Sequence, residues 1–377
     1  MYTKRLLTCF LLSFTLVNVS TQAQNETSSS DLLDLHKQLV EIESISGNEA
    51  KVGEFLASYL QSHGWTIERQ EVEGINGGPA RFNIFAHTGN KNPKVILNSH
   101  LDTVPPYVPY RVEGDKIFGR GTNDAKGSIA SQVIALAELQ KESPDVAKEV
   151  GLLYVVSEES GCSGITKANE LSITPKAFII GEPTENKLAL GHKGALKFSV
   201  NSEGIAAHSG YPELGRSAIT QLVNVASTLN SIVFPDSHPV LGVDTLNIGL
   251  IQGGIAANVV PASANLTVAV RIATNATKVW ETIKSIVGNP QGITLELGGA
   301  RDGILLDSVD GFETMVAKYG TDYLCYNGKA KKKYLIGPGS ILVAHTPNEY
   351  ILKEDLTKAV GLYKKLVTQV LNTSQRS

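Results

Sequence analysis

The 377-residue sequence has only three cysteines, too few for a disulfide scaffold or a Cys-rich zinc module. It has little net charge. Its 34 Lys and Arg against 37 Asp and Glu leave −3, so no basic field invites nucleic acid or an anionic membrane. No internal repeat stands out, and no apolar run reaches the ~20 residues that a bilayer-crossing helix needs. What is present is 42% hydrophobic and 19% charged residues, with 35 Gly and 15 Pro. That balance fits a globular α/β protein and excludes a disordered, collagenous or coiled-coil chain. At roughly 100–200 residues per domain, the length predicts two domains, or at most three.

The first segment reads as an address. Lys4 and Arg5 precede an apolar run, Leu6 to Val19, followed by small and polar residues through Ser20, Thr21, Gln22 and Ala23. This is the pattern of a secretory signal peptide cleaved near Ala23. Residues 1–23 are therefore left out of the fold, and the mature chain is expected outside the cell and free of the membrane. An uncleaved anchor is the other reading, and the run is short for one. Asn25, Asn265, Asn275 and Asn372 each begin an N-x-S/T sequon, in keeping with export and glycosylation. Cys162 and Cys325 remain after cleavage. An even pair permits one disulfide in an oxidising compartment, and two free thiols fit equally well.

Apolar residues at helical spacing over 31–63, interrupted by Ser46-Gly47-Asn48, predict two helices ending at Gly64. Strands are predicted at Thr66–Val72, Arg81–His87, Val95–Ser99, Val150–Ser157 and Ala177–Ile180, with a helix over Lys126–Leu139. Strands alternating with helices imply an α/β sheet flanked by helices. The pattern then changes. Strands at Ala195–Ser202, Leu246–Gln252, Ala264–Ile272 and Ile293–Leu297, with helices at Ser217–Leu229 and Thr277–Val287, give β-α-β-β-α-β. That is the order of a ferredoxin-like α+β unit. The expected organisation is a body of 24–190 and 300–377, closed by a helix over Glu354–Leu371, with a unit of 191–299 inserted in it. The basic run Lys329 to Lys333 reads as a solvated loop.

Chemistry-bearing residues cluster at predicted strand ends. His100 and Asp102 lie two apart after a buried strand; the imidazole suits a metal and the acid suits an orienting partner behind it. Asp124 stands in the turn Gly119-Arg120-Gly121-Thr122-Asn123-Asp124 before a helix, where it could also be an N-cap. Glu158 and Glu159 follow the strand beginning at Val150. One could bind metal and the other act as a general base, although a solvated pair is equally compatible. Glu182 follows the strand Ala177–Ile180, and His345 follows the glycine-flexible Gly337-Pro338-Gly339-Ser340. Singly, these also read as turn or surface residues. Together, two His and three carboxylates suit zinc and exceed one tetrahedral ion, so they fit two ions ~3.5 Å apart bridged by a carboxylate and a water.

The segments NSHLDTVPP, GRGTNDAKG, SEESG, GEPT, AHSGYPELGRSA and GPGS…AHTPNE, in this order, resemble the M20 family of dizinc metallopeptidases and deacylases. The family includes acetylornithine deacetylase, succinyl-diaminopimelate desuccinylase, aminoacylase and glutamate carboxypeptidase. The likeness covers about 31–370. It implies a zinc-exopeptidase-like catalytic domain with an inserted lid, and two Zn ions per subunit. His100 and Glu182 would bind one ion, Glu159 and His345 the other, and Asp124 both. Asp102 would support His100, and Glu158 would be the general base. His208 would stabilise the oxyanion, supplied by the partner subunit in dimeric relatives. Asn258 and Arg271 would contact a substrate carboxylate, and the Gly339 backbone would approach the substrate. A cis peptide at Asp124–Ala125 is also implied. Two positions depart from the pattern. Ala269 stands where many relatives have an acid two residues before the lid arginine, and Ala125 replaces the usual Asp or Met.

The resemblance points to a secreted exopeptidase, most simply a carboxypeptidase acting beside a free carboxylate. An N-acyl-amino-acid deacylase or a dipeptidase uses the same centre. A catalytically silent binding glycoprotein is the reading outside enzymes. The lid mediates dimers in relatives, so a homodimer through it is allowed, and glycans at Asn265 or Asn275 would oppose one.

Overall fold

The computed structural model describes residues 29–372. The proposed signal peptide and Asn25 lie outside them. The chain separates into two compact units.

The first unit comprises the chain up to Leu188 together with Val309–Glu313 and Cys325 onward. Its sheet has six strands in the order Thr66–Val72, Arg81–His87, Val150–Val155, Val95–His100, Ala177–Ile180, Lys332–Leu335. The first two pairings are antiparallel and the other three parallel, so the sheet is mixed. Val95–His100, Val150–Val155 and Ala177–Ile180 are buried at every residue. This is why they read as continuous apolar runs rather than alternating ones.

Helices cover the sheet. The two N-terminal ones run over 29–41 and Ala50–Ser62. The second buries Val52, Gly53, Leu56, Ala57 and Leu60, an i, i+4 stripe. Each buried Leu contributes about 1.5–3 kcal/mol of burial free energy. Gly53 lets the helix approach the ring of Phe82, which would lie 3.2 Å from a Cβ at that position. The helix Lys126–Glu142 is buried continuously from Lys126 to Leu136, and the last helix, Lys353–Asn372, packs beside it. Cys162 and Cys325 form a disulfide. It closes a loop over a sequence separation of 163 and ties the segment after Glu159 to the returning chain.

The second unit comprises Ala189–Ser308 and Thr314–Leu324. Its four-stranded antiparallel sheet has the order Thr245–Gly253, Ser263–Ile272, Gly194–Glu203, Ile293–Arg301, the ferredoxin-like arrangement. Alternate residues Leu196, Phe198 and Val200, and Leu266, Val268 and Val270, pack against the helices Ala218–Asn230 and Ala276–Val287. Ser217 and Asn275 cap those helices by accepting the amides of Thr220 and Lys278. The unit is wider than the 191–299 read from the pattern. The strand Leu188–His192 takes Ile304–Leu305 and Thr314–Ala317 as partners, strands too short to show periodicity.

Candidate metal centre

The four parallel strands of the first unit all point their carboxyl ends to one edge, where open α/β sheets place their sites. His100 is the last residue of its strand. Glu158 and Glu159 follow Val150–Val155, Glu182 lies two residues past Ile180, and Gly337–Ser340 follows Leu335. The Glu182 and Gly339 loops are stitched together: the Glu185 amide donates to the Gly339 carbonyl at 2.7 Å, and the Thr184 hydroxyl to Gly337 at 3.2 Å.

Asp124 lies between two histidines. Its Oδ1 is 3.1 Å from His100 Nε2, and its Oδ2 is 3.3 Å from His345 Nε2. Glu182 Oε1 is 3.6 Å from the same His100 nitrogen, and Glu159 Oε1 is 3.0 Å from that of His345. Donors held at ~2.0–2.1 Å by a tetrahedral ion stand about 3.3 Å from one another, so this spacing fits a metal on each side of Asp124. Glu158 also reaches the cluster. Ligand atoms of His100, Glu158 and Glu182 lie within 4.8 Å of one another, as do those of His100, Asp124 and Glu159. Asp124 does not cap the following helix: Ala125 holds the cap position, without a side-chain cap. The Asp124–Ala125 peptide is cis.

Asp102 has two separate tasks. Its carbonyl oxygen accepts the His100 Nδ1 hydrogen bond at 2.9 Å, which turns Nε2 toward Asp124. Its carboxylate accepts from the amides of Glu158 at 3.0 Å and Glu159 at 3.1 Å, and from the Ser46 hydroxyl at 2.6 Å. Ser157, just before these acids, adopts a left-handed φ of 64°. Buried Glu49 accepts its amide at 3.2 Å and is paired with Arg81 Nη1 at 2.7 Å. Ser46, Glu49 and Arg81 escape a reading of the sequence, because no local pattern ties Ser46 to Asp102, 56 positions away, or Arg81 and Glu49 to Ser157, 76 and 108 positions away.

The electrostatics are those of a site short of positive charge. Burial pushes Glu182 up to about 7 against the pull of His100, with the charges of Asp124 and Glu159 adding to the rise. Burial also raises Glu159, reinforced by Asp124. Hydrogen bonds to Asp124 and Glu159 lift His345 to about 10. Burial works against the Asp124 carboxylate, but His100 and His345 outweigh it and hold its pKa below the usual range. Clustered buried acids with displaced pKa values mark a functional site, and cations are the groups that satisfy them.

Comparison with known proteins settles the family. The model of peptidase family M20/M25/M40 matches residues 96–369. The chain belongs to this peptidase family. A probable carboxypeptidase of Ajellomyces dermatitidis is 43% identical over 380 residues, covering 90% of this chain and 87% of that one. An M20 family metallo-carboxypeptidase of Sulfolobus solfataricus has a similar fold, with TM-score 0.71 at 18% identity over 89% of this chain and 98% of the other. So does a dinuclear metal-binding M20 peptidase of Bacillus subtilis, with TM-score 0.65 at 17% identity over 92% of this chain and 99% of that one. This protein is thus an M20 hydrolase of peptide bonds.

In the second unit of this M20 peptidase, His208 and Asn258 come together. His208 bridges to Val259, and the Ser209 amide donates to the Asn258 carbonyl at 3.0 Å. Both residues are exposed. Arg271 is elsewhere. It lies eight residues along the strand from Ser263, ~27 Å at strand rise, at the end away from Asn258. Its cross-strand neighbour is Ala195, whose other neighbour is Arg301, so two exposed arginines flank one small residue. The sequence reading passed over Arg301. The signal was its place in the register, which is legible only once strands are paired. Gly339, in the first unit, is buried at φ 77°, and a Cβ there would lie 1.9 Å from Asn123 Oδ1. Among the sequon asparagines, Asn265 and Asn372 are exposed, while half-buried Asn275 caps its helix.

Proposed function

We propose that this M20 peptidase is a secreted two-zinc exopeptidase of the carboxypeptidase type. One observation carries the reading: the two oxygens of Asp124 are divided between a His100–Glu182 pair and a His345–Glu159 pair. The imidazole and carboxylate donor set suits zinc. Zinc, when bound there, supplies Lewis acidity and a water acidic enough to be deprotonated near neutral pH.

The protein's own residues do the rest. Asp102 orients His100 through its carbonyl and holds the Glu158–Glu159 turn through its carboxylate. Glu158 accepts the proton of the attacking water and passes it to the leaving amine. His208 donates to the oxygen that gains charge. Arg271, with Arg301 on the far side of the strand that carries Ala195, offers positive charge for a free substrate carboxylate, which favours cleavage next to a C-terminus.

The segment of His208 and Asn258 precedes the Ser263 end of the strand Ser263–Ile272, and Arg271 lies ~27 Å along that strand, a span longer than a small peptide. This supports a homodimer in which one of the two sets comes from a second copy. The Cys162–Cys325 disulfide and the sequons at Asn25, Asn265, Asn275 and Asn372 support export.

A substrate panel with and without a chelator tests the proposal. A dipeptide and a longer peptide with free C-termini should be cut, their C-terminal amides should resist, and chelation should abolish turnover. Faster release from an N-acetyl amino acid would make the enzyme a deacylase. Near-zero metal in folded protein would leave only the silent-glycoprotein reading.

A further inference from the structure

We infer that Glu349 is a positioning residue that locks the bridging acid Asp124 and the His345 segment into one register, and so sets the metal affinity of the centre. The inference rests on the two-metal reading above. Glu349 is fully buried, four residues after His345. Its Oε1 accepts three backbone amides of the glycine-rich turn: Gly121 at 3.0 Å, Asn123 at 3.1 Å and Asp124 at 3.2 Å. Its Oε2 takes Arg120 Nη1 at 2.6 Å, from an arginine only 2% exposed. Its own carbonyl accepts the Gly119 amide at 3.2 Å.

A buried carboxylate close to another acid is costly unless it is paired and hydrogen-bonded, as this one is by Arg120 and three amides. What the carboxylate adds is geometry. A single side chain gathers amides from Gly121 through Asp124, so the Asp124 backbone is fixed and its two oxygens are aimed at His100 and His345. The same residue anchors the segment that carries His345. Without this acceptor, three buried N–H groups lose their partner, and the turn is free to rotate Asp124 out of its bridging pose. Outer partners of metal ligands of this kind typically affect affinity 10–100-fold.

The test compares the full-length protein with R120M and with R120M/E349M. Zn²⁺ affinity is read by competition with a chromophoric chelator, below the denaturation midpoint of each metal-free form. R120M breaks the ion pair but keeps the acceptor, so it should lower the midpoint yet bind Zn²⁺ within about 3-fold of wild type. R120M/E349M should bind 10–100-fold more weakly, and its kcat should fall while KM stays put. If the double variant binds Zn²⁺ as tightly as R120M, the inference is overturned. Should the double variant not fold, R120M/E349Q takes its place, with at least a 3-fold loss expected. If neither folds, Glu349 is a folding element and the inference falls. Wild-type protein that takes up no Zn²⁺ overturns the metal reading itself, and this inference with it.

Discussion

Asp102 holds His100 by its carbonyl oxygen, at 2.9 Å from Nδ1, while its carboxylate Oδ1 stands 3.5 Å from that nitrogen and accepts the amide of Glu158, and Oδ2 accepts that of Glu159. The imidazole and the acid turn are therefore steered by different atoms of one residue, and substitution can separate them. Asp102→Ala keeps the carbonyl and removes the anchor of the turn. Metal at the His100 side should be retained, while kcat falls by about 10–100-fold, the usual cost of losing an outer partner. Metal analysis and steady-state kinetics on one preparation decide it. Loss of all metal together with activity would show that the carboxylate, too, is needed to hold His100.

Glu158 and Glu159 are neighbours with different surroundings. Glu159 Oε1 contacts His345 at 3.0 Å, whereas Glu158 shares a 4.8 Å cluster with His100 and Glu182. A ligand and a proton carrier respond differently to the same isosteric change. Glu158→Gln should retain two metals and lose about 10²–10⁴-fold in kcat, the range of a general acid–base. Glu159→Gln should lose one metal instead. Metal stoichiometry of the two variants separates the roles, and a Glu158→Gln protein with one metal would make Glu158 a ligand.

The site was legible where chemistry sits next to a strand in sequence. His100, Glu159 and Glu182 each follow a continuous apolar run, so the strand and its terminal residue are read together. The inserted unit was legible because its sheet has one buried face, and alternation such as Leu196, Phe198, Val200 survives in the sequence. What stayed hidden is held by contacts between distant segments. Glu349 closes on amides 225–228 positions away, and Glu49 on one 108 away. The pairing of Cys162 with Cys325 belongs with these: two cysteines permit a bond, but only the fold brings them together.

Gly339 has two independent reasons to be glycine. Its φ of 77° is strained for any L side chain, and Asn123 Oδ1 occupies the place of a Cβ, 1.9 Å away. Gly339→Ala should therefore cost about 2–5 kcal/mol from backbone strain and overlap together. Chemical denaturation should show the midpoint falling accordingly. Because Asn123 precedes Asp124, the displaced amide should weaken metal retention as well. A variant as stable as wild type would mean that this loop adopts another conformation in solution.

His36 gives the stability a pH dependence of known sign. It is fully buried, its Nε2 donates to the Thr122 carbonyl at 2.9 Å, and burial lowers its pKa from 6.5 to about 4. Between those values the unfolded chain takes up a proton that the folded chain refuses, so acid favours unfolding. The stability due to neutral His36 is complete above pH 6.5 and is lost as pH falls toward 4, by about 3 kcal/mol in all. Carboxylates titrate over part of the same range, so the contribution must be read as a difference. His36→Asn keeps a donor near Thr122 but cannot titrate. The gap in stability between wild type and this variant should narrow, and then reverse, as pH is lowered from 7 to 4. A gap constant across that range would mean that His36 takes up its proton as readily in the folded protein as in the unfolded chain.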